Sequence, residues 1–462
     1  MSECGERVGD SHIVLGAGVQ GAGVQGAGVQ GAGVHRCAVR VGIQTWGSEG
    51  DIRPFVALGA ALARRGHAVE LLYTEISDRR YEAVAQSLGF TARAVASPIL
   101  TDSTAQAEIG LQILNTRNQL EQGLIISKRM LEPVIEQTYE AGLDLCRRSD
   151  LLIHHFILHS ARAAADKTGI PAITVTFAHM LTPSRHVHPH GLPNFGEWAN
   201  VIEWKIAAFA LNQTMLKDVN RWRARVGLPR FADLMRDAWP SHRLNLLASS
   251  PALIDRPPDW PEWHQPCGFL ELPPHEHEAV SPGVDRFLAS GSPPVFMGFG
   301  SLMPMAGGLH LGDTIAVFEE ATRLAGCRAV IQADIDRPST DSILFVKRTP
   351  HRLVFPRCVA VVHHAGAGTT HSTLRAGVPS IPVPHVSDQF AWSDELRRLG
   401  VAPEPLRRTK LTATALAARI RLVLQSPRMK AAAGAISERM KNDNGPETAA
   451  DMIEQRMKWN KN

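Results

Sequence analysis

Residues 363–389 read HHAGAGTTHSTLRAGVPSIPVPHVSDQ and follow an apolar run, 359–362, that is typical of a buried strand. Two histidines lead into a turn of small residues and then into a helix, which Gly377 and Pro379 end. A second extended run completes a strand–turn–helix–strand unit whose turn carries almost no side chains. Such a turn lets backbone N–H groups and the positive end of a helix meet phosphate oxygens. The stretch therefore predicts an α/β fold that binds a sugar diphosphate outside the carboxyl end of a strand.

The groups that could line this site come from the same stretch. His363 ends the predicted strand and is expected to contact the diphosphate, although a satisfied, half-buried histidine is the alternative. His364 is predicted to point to the opposite face because side chains alternate along a strand. Asp388 and Gln389 follow the next strand, where they could hold sugar hydroxyls or cap the next helix. Backbone N–H groups for the phosphates are expected from four consecutive residues: Gly366, Ala367, Gly368 and Thr369.

Length and composition predict a globular protein of two domains. The chain has 462 residues, of which 44% are hydrophobic and 20% charged. Its net charge is only +4, and no basic run marks a nucleic-acid groove. The six cysteines stand singly, which favours reduced thiols over disulfides. No apolar run reaches the ~18 residues of a membrane helix and no export signal is visible, so we expect a soluble cytoplasmic protein, with peripheral membrane contact left open.

The first 38 residues contain a motif that is easily misread. Residues 12–21, HIVLGAGVQG, match a strand followed by G-x-G-x-x-G, the dinucleotide-binding fingerprint. However, GAGVQ recurs at 16, 21 and 26, and GAGVH follows at 31, so the glycines belong to a repeat. Each glycine would cost about 1 kcal/mol against alanine in the helix that such a site needs. Residues 1–38 are therefore predicted to be a flexible leader, which could even be translated upstream sequence.

The first folded half should begin at Val39 with a βαβ unit. Residues 39–45 are predicted to form a strand, 54–65 a helix and 68–73 a second, parallel strand. Residues 196–226 look helical with a broad apolar face. Core packing is the favoured interpretation of that face, over contact with an acceptor or a membrane. The residues concerned are Trp198, Val201, Ile202, Ile206, Phe209 and Leu216.

Proline-rich segments near 255–282 predict a linker between two similar α/β halves that face one another across a cleft. The second half opens with a strand, 294–299, that ends at Gly300 and Ser301. The predicted organisation places an N-terminal acceptor-binding domain at 39–268, a linker at 269–283, a C-terminal nucleotide-sugar-binding domain at 284–440 and a helix returning to the first domain at 441–462.

Several of these segments resemble motifs of one known family. They are GSEGDIRPFVALGAAL at 47–62, GFGS at 298–301, and FPRCVAVVHHAGAGTTHSTLRAGVPSIPVP at 355–384 with DQ at 388–389. In this order and spacing they resemble the sterol and antibiotic glycosyltransferases of the UDP-glucosyltransferase superfamily (glycosyltransferase family 1), over nearly everything from Val39 onward. The resemblance implies the GT-B fold: two facing Rossmann-like domains with parallel sheets and an interdomain cleft. It also implies an inverting, metal-independent transfer of a hexose from a nucleotide diphosphate to a hydroxyl.

The chain also departs from the family pattern. Ala365 stands where the family usually has glycine, which would crowd one backbone approach slightly. VSDQFAW at 386–392 replaces a commoner F-G-D-Q-P-x-W, and the Gly-Trp segment often found before the V-P-H loop is missing. These departures concern the donor more than the type of reaction.

The resemblance assigns roles to residues of both halves. Asp51 matches the position of the catalytic base, although an N-cap of the helix 52–65 is the alternative. Asp102 is one candidate for its partner. Gly47 and Ser48 in the first turn are expected to help bind the donor, and Ser301 to contact the diphosphate.

No metal or other cofactor is expected. Asp334-Ile335-Asp336 is a D-x-D triplet of the kind that holds a divalent metal in other glycosyltransferases, but it is interpreted as a solvated turn. The histidines of HVHPHG at 186–191 are likewise interpreted as part of an exposed loop. Full activity in excess EDTA is the expected result.

The leading hypothesis is a glucosyltransferase that uses a nucleotide sugar, with UDP-glucose as the first choice. The acceptor would be a lipophilic alcohol such as a sterol, a lipid or a polycyclic natural product. Two alternatives stay open, a nucleotide-sugar epimerase of the same fold and a non-catalytic partner of another transferase. Nucleic acid is not expected as a partner, and the oligomeric state cannot be deduced from the sequence.

Overall fold

The structure is a computed structural model that describes residues 38–76, 80–97, 103–273, 279–300 and 311–458. The described residues belong to one compact unit that starts at Ala38. The leader predicted at 1–38 therefore lies outside the described residues except for its last position. Asp102 and Ser301, both named above, also lie outside them.

The first sheet contains seven described strands, all parallel, in the order β3-β2-β1-β4-β5-β6-β7. The central strand, β1, is buried along seven of its eight residues, as expected for a strand covered by helices on both faces. The order reverses between β1 and β4, which makes their carboxyl ends the place where such sheets bind ligands. The strands are β1 Arg40–Gly47, β2 Ala68–Glu75, β3 Thr91–Ala94, β4 Leu151–His155, β5 Ala172–Thr176, β6 Asn245–Leu247 and β7 His264–Pro266.

The second sheet repeats the plan with five described parallel strands, in the order β10-β9-β8-β11-β12. Its order reverses between β8 and β11, so the equivalent ligand position lies at the carboxyl ends of these two strands. The prediction of two α/β halves with parallel sheets is confirmed. The strands are β8 Val295–Gly298, β9 Ala329–Gln332, β10 Ile343–Val346, β11 Ala360–His363 and β12 Ser380–Pro382.

Helices connect the strands and cover both sheets. Those associated with the first sheet are Glu49–Arg64, Glu82–Ser87, Ser103–Asn115, Gln119–Ile126, Ile135–Arg147, His159–Thr168, Glu197–Leu211 and Lys217–Arg225. Those that follow are Pro282–Ala289, Leu311–Ala325, His351–Val354, Ala367–Arg375, Gln389–Arg398, Ala413–Leu424, Pro427–Arg439 and Gly445–Lys458.

The last of these helices packs against the first sheet rather than the second. Ala449, Ala450 and Ile453 are fully buried in the same core cluster as Ile43 and Phe55. At the start of this helix the chain passes very close to the segment that leaves the first sheet, since a Cβ on Gly445 would lie 2.2 Å from the carbonyl oxygen of Phe269. The segment that leaves the first sheet and the segment that returns to it therefore lie side by side. The domain boundaries proposed at 268, 283 and 440 stay predictions.

The apolar face of the helix Glu197–Leu211 corrects one expectation. Trp198 is 79% exposed, Ile206 61% and Phe209 65%, and Ile202 is exposed as well. The buried side chains of this helix are Asn200 and Trp204, which donate hydrogen bonds to carbonyl oxygens of the preceding loop at 3.0 and 2.6 Å. Core packing was therefore the wrong prediction for these four residues, because polar contacts on the other face hold the helix.

No helix within the described ranges is both long enough and apolar enough to cross a bilayer.

Candidate active site

Asp51 lies in the first turn of the helix that follows β1. This helix begins at Glu49 with Ser48 as its N-cap, so Asp51 takes the third helical position rather than the cap. Its Oδ2 accepts hydrogen bonds from the Ser48 N–H at 2.8 Å and from Ser48 Oγ at 3.0 Å. The predicted helix start at 54 was wrong because this reciprocal cap begins the helix earlier and leaves Pro54 inside it.

Gly47 makes room for the Asp51 carboxylate. Its φ is +130°, and a Cβ at this position would lie 2.4 Å from Asp51 Oδ2. Only glycine combines this backbone conformation with so close an approach. Gly47 and Ser48 therefore shape and hold the carboxylate, while their predicted contact with the donor stays a prediction.

His155 is the neighbour of Asp51 that the sequence analysis missed. It ends β4, directly beside β1, and its Nε2 lies 3.4 Å from Asp51 Oδ1. Its Nδ1 accepts the N–H of Ile157 at 3.3 Å, so in the neutral ring the proton is on Nε2 and points toward the carboxylate. Asp102, the candidate partner, lies outside the described residues. The available signal was the apolar run LLI at 151–153, which is followed directly by two histidines.

Aromatic rings surround this pair on the first-sheet side. The ring of His155 stacks on Phe156 with centroids 5.0 Å apart, and Phe177 and Phe55 lie at 5.4 and 6.1 Å. The Asp51 side chain, by contrast, is 36% exposed. Phe55 and Phe177 are themselves buried, so these rings hold the His155 ring in place, while the Asp51 carboxylate beside it reaches solvent.

His363 does not face open space. It is fully buried at the end of β11, and its Nδ1 accepts the N–H of Ala365 at 3.2 Å. Burial lowers the pKa of His363 to about 3, so the ring is neutral. His363 holds the turn through Ala365, but it is more buried than the alternative expected, and its Nε2 has no hydrogen-bond partner among the described residues. Its contact with a diphosphate stays a prediction.

His364 takes the open side of the same turn. It is only half-buried, and its ring lies against two glycines: a Cβ on Gly300 would be 2.7 Å from its Cε1, and one on Gly366 2.3 Å from its Nε2. Burial lowers the pKa of His364 to about 4. His363 is fully buried and His364 only half-buried, which agrees with the predicted alternation of the two side chains, and a contact of His364 with a ligand stays a prediction.

The helix Ala367–Arg375 begins beside the His364 ring. Gly366 is its N-cap, and the first N–H bonded within the helix is that of Thr370, to the Gly366 carbonyl at 2.9 Å. The preceding N–H groups, those of Ala367, Gly368 and Thr369, occupy positions for which a helix supplies no acceptor. Together with the helix dipole, this turn is suited to an anion.

Ala365, the departure from the family pattern, has a φ of +62° and is completely buried. Its methyl group packs in an apolar cluster with Leu253, Leu374 and Trp392. The crowding expected at the ligand does not arise, because the methyl points into the protein.

Asp388 comes directly before the helix Gln389–Arg398, but its side chain makes no capping hydrogen bond. Burial, followed by the nearby charge of Asp51, raises the pKa of Asp388 to about 7. The two carboxylates, one from each half of the molecule, therefore lie close enough to interact. The capping role named as an alternative for Asp388 is not seen.

Gln389 holds the loop that carries Asp388. Its buried amide oxygen accepts the N–H groups of His385 at 2.9 Å and Val386 at 3.2 Å, so that oxygen is already occupied. From the first half, Gln122 Nε2 donates to the His385 carbonyl at 3.2 Å. The loop is thus fixed from both sides, and contact between Gln389 and a sugar stays a prediction.

Further contacts join the ends of the two sheets. Arg348 lies 3.9 Å from Glu49, two residues before Asp51, and His190 Nδ1 lies 3.2 Å from Asp394. The predicted base, the anion-suited turn and Asp388 therefore belong to one region between the sheets.

The residues considered for metal binding are dispersed. Asp334 pairs with Lys347 at 3.0 Å, and His186 pairs with Glu197 at 3.0 Å. Within the described part of the chain, no group of three or more potential ligands is placed to hold a metal ion. Metal independence stays a prediction.

Comparison with known proteins identifies the family. Residues 332–455 match the model of the erythromycin biosynthesis protein CIII-like C-terminal domain. An uncharacterized glycosyltransferase of Mycobacterium bovis is 30% identical over 89% of this chain and 97% of its own length. The chain belongs to glycosyltransferase family 1.

Other relatives place this glycosyltransferase among enzymes of the antibiotic and sterol type. O-mycaminosyltylonolide 6-deoxyallosyltransferase of Streptomyces fradiae is 29% identical, over 90% of this chain and 97% of its own. Sterol 3-beta-glucosyltransferase UGT80B1 of Arabidopsis thaliana is 26% identical, over 89% of this chain and 67% of its own.

Solved structures confirm the GT-B fold. The calicheamicin glycosyltransferase CalG4 superposes with a TM-score of 0.64 at 15% identity, covering 92% of this chain and 100% of its own. The glycosyltransferase VinC, solved with dTDP, gives 0.61 at 19% identity, covering 91% of this chain and 100% of its own. Since the relatives are transferases, a nucleotide-sugar-dependent transferase is favoured over the epimerase and the non-catalytic partner.

Proposed function

We propose that this glycosyltransferase moves a hexose, with inversion at the anomeric carbon, from a nucleoside diphosphate to the hydroxyl of a lipophilic acceptor. The observation that carries the proposal is that Asp51 and Asp388, one from each half, lie close enough to interact, in a region that contacts between the ends of the two sheets hold together. This proximity supports a base and a donor site that share one cleft.

Asp51 acts as the base in this proposal. Its Oδ2 is held by Ser48, and the side chain is still 36% exposed, so a hydroxyl can reach the carboxylate. The carboxylate takes the hydroxyl proton while the oxygen forms a bond to the anomeric carbon. The bond from that carbon to the diphosphate oxygen breaks, and the electron pair leaves with the diphosphate. Attack opposite the leaving group inverts the configuration.

The second half stabilises the leaving group without a metal. First-turn N–H groups of the helix Ala367–Arg375 and the positive end of its dipole offer hydrogen bonds to phosphate oxygens. The neutral ring of His364 adds a further N–H donor next to the same turn. Asp388, whose side chain is not used in a cap, can accept a hydrogen bond from a sugar hydroxyl.

The donor and acceptor are proposed at the level of class. The relatives named above include a sterol glucosyltransferase and a deoxysugar transferase, so UDP-glucose is the first donor to test and dTDP-sugars are the second. The similarity to a sterol 3-beta-glucosyltransferase supports a lipophilic acceptor.

The test uses the full chain, its Asp51→Asn variant and excess EDTA. Donors are screened by thermal shift, products of an acceptor panel by mass spectrometry, and the anomeric configuration by NMR. We expect an inverted glycoside with EDTA present, and an Asp51→Asn variant that keeps its donor-induced shift but turns over at least about 100-fold more slowly. Near-normal turnover in that variant would remove Asp51 as the base, and an epimerised donor formed without acceptor would overturn the transferase proposal.

Peripheral contact with an anionic bilayer is supported by one surface. The exposed residues Trp198, Ile202, Ile206 and Phe209 form an apolar stripe along one helix, and the exposed Lys205 lies next to it. Tryptophan and phenylalanine beside a lysine favour the interface between water and an anionic membrane.

Sedimentation with vesicles of phosphatidylcholine and phosphatidylglycerol tests this contact. The double variant Trp198→Ser/Phe209→Ser should bind vesicles at least about tenfold more weakly, because two large apolar side chains no longer leave water. The variant Leu422→Ser, at another exposed apolar residue, is the matched control. Equal binding by all three proteins would exclude the stripe as the contact surface.

A further inference from the structure

In the pair formed by His155 and Asp51, the two oxygens of the Asp51 carboxylate have different neighbours. The Oδ2 of Asp51 receives both hydrogen bonds from Ser48, while Oδ1 faces His155 Nε2 at 3.4 Å. Nδ1 of the histidine is occupied by the N–H of Ile157. The imidazole can therefore only present a proton to the carboxylate; it cannot accept one from a substrate while this arrangement holds.

The ring of His155 has no freedom to take another role. It is stacked on Phe156, flanked by Phe55 and Phe177, and almost fully buried. No described atom forms a standard hydrogen bond with its Nε2. A buried N–H without a hydrogen-bond partner is unfavourable. Shortening the distance from His155 Nε2 to Asp51 Oδ1 toward about 3 Å would therefore lower the free energy. Hydrogen bonds between catalytic groups are often long before substrate binds and shorten in the complex.

From these contacts we infer that His155 is the positioning residue of Asp51: its Nε2–H holds Oδ1 in the orientation that receives the acceptor's proton. The inference rests on the proposed function. With Ser48 on one oxygen and His155 on the other, rotation of the carboxylate about its terminal torsion is restrained from both sides. The acceptor's proton ends on Asp51, not on the imidazole, because the two ring nitrogens of His155 already face Ile157 and the carboxylate.

A substitution series at this position separates positioning from simple support of the fold. In His155→Gln the amide Nε2 can replace the ring N–H, whereas His155→Leu keeps a buried apolar side chain without any donor. We expect kcat to fall about 30-fold to 100-fold in His155→Leu, with the KM for the donor within about twofold of wild type. His155→Gln should recover most of that loss, although glutamine cannot act as a base.

The same substitutions in an Asp51→Asn background complete the experiment. If His155 acts only through the carboxylate, His155→Leu should lower the residual rate by less than about twofold there. An equal loss in both backgrounds would overturn the inference, as would a His155→Gln variant as slow as His155→Leu. The melting temperature of each variant shows whether it is folded, and a misfolded leucine variant leaves the glutamine variant to decide the question.

Failure of the inference can be told apart from failure of the proposed function. A wild-type enzyme that transfers sugar, combined with a His155→Leu variant of normal kcat, overturns only the role of His155. A wild-type enzyme that forms no glycoside with any acceptor tested overturns the proposed function, and the inference with it.

Discussion

The two sheets have the same strand order around their switch points, yet the two switch points carry opposite kinds of chemistry. At the end of β1 the turn is filled with side chains that bind one another, Ser48 to Asp51 with His155 alongside. At the end of β11 the turn is almost bare, and it offers the first N–H groups of a helix. The same topology therefore carries the proposed base in the first half and a turn suited to an anion in the second, and the side chains of each turn make the difference.

The largest expected effect on turnover comes from a substitution that disrupts the turn after β1. In Gly47→Ala the new methyl would collide with Asp51 Oδ2, 2.4 Å from the ideal Cβ position, in a backbone conformation that alanine disfavours. The carboxylate must rotate away, so we expect turnover to fall about 100-fold while donor affinity, which depends on the second turn, is largely retained.

Gly50→Ala is the matched control, because a Cβ there would meet only Ser48 Oγ, at 3.7 Å. Steady-state kinetics and calorimetric donor binding are measured for both variants. Equal losses of turnover in the two variants would show that the close approach to Asp51 is not what matters.

The second prediction concerns the two histidines at the other turn. His364 lies at the open helix terminus, so His364→Ala should weaken binding of UDP or dTDP about tenfold and leave the melting temperature nearly unchanged. His363 holds the turn from inside, so His363→Ala should lower the melting temperature by several degrees because it leaves the Ala365 N–H without its acceptor and opens a cavity.

Calorimetric titration with each nucleotide and a thermal melt of each variant check the pair, each variant serving as the control of the other. A loss of nucleotide affinity confined to His363→Ala would restore the role that the sequence alone suggested for that residue.

The two histidines also show how much of the site could be predicted from the sequence. The strand–turn–helix unit of 363–389 was predictable because its signals are local: an apolar run, a bare turn, then Gly377 and Pro379. Which of the two histidines is fully buried was not predictable, since it depends on how the chain turns where β11 ends. Strand ends are the least certain part of such a prediction.

Contacts between segments that lie far apart in the sequence were harder to predict. His155 lies 104 positions after Asp51, and only the parallel pairing of β1 with β4 brings them together. The prediction that the apolar face of the helix Glu197–Leu211 packs in the core was wrong for a related reason. Its apolar pattern indicates which side chains share a face, but Asn200 and Trp204 on the other face determine which side is buried.

The smallest effect tests the electrostatic coupling between Asp51, in the turn after β1, and Asp388, in the loop after β12. Its pKa is raised from the ordinary 3.8 to about 7, so the folded protein binds this proton more tightly than the unfolded chain does. The resulting stability is fully present below about pH 4 and is lost as the pH rises toward 7. Asp388→Asn should therefore raise the melting temperature by about 2–4 °C at pH 8, and the gain should shrink toward pH 5. Asp341→Asn, at an exposed carboxylate, should show no such trend.

Because the charge of Asp51 is part of the cause, the gain at pH 8 should be smaller in an Asp51→Asn background. A gain that is the same in both backgrounds would mean that burial alone acts on Asp388, and that Asp51 and Asp388 do not interact electrostatically.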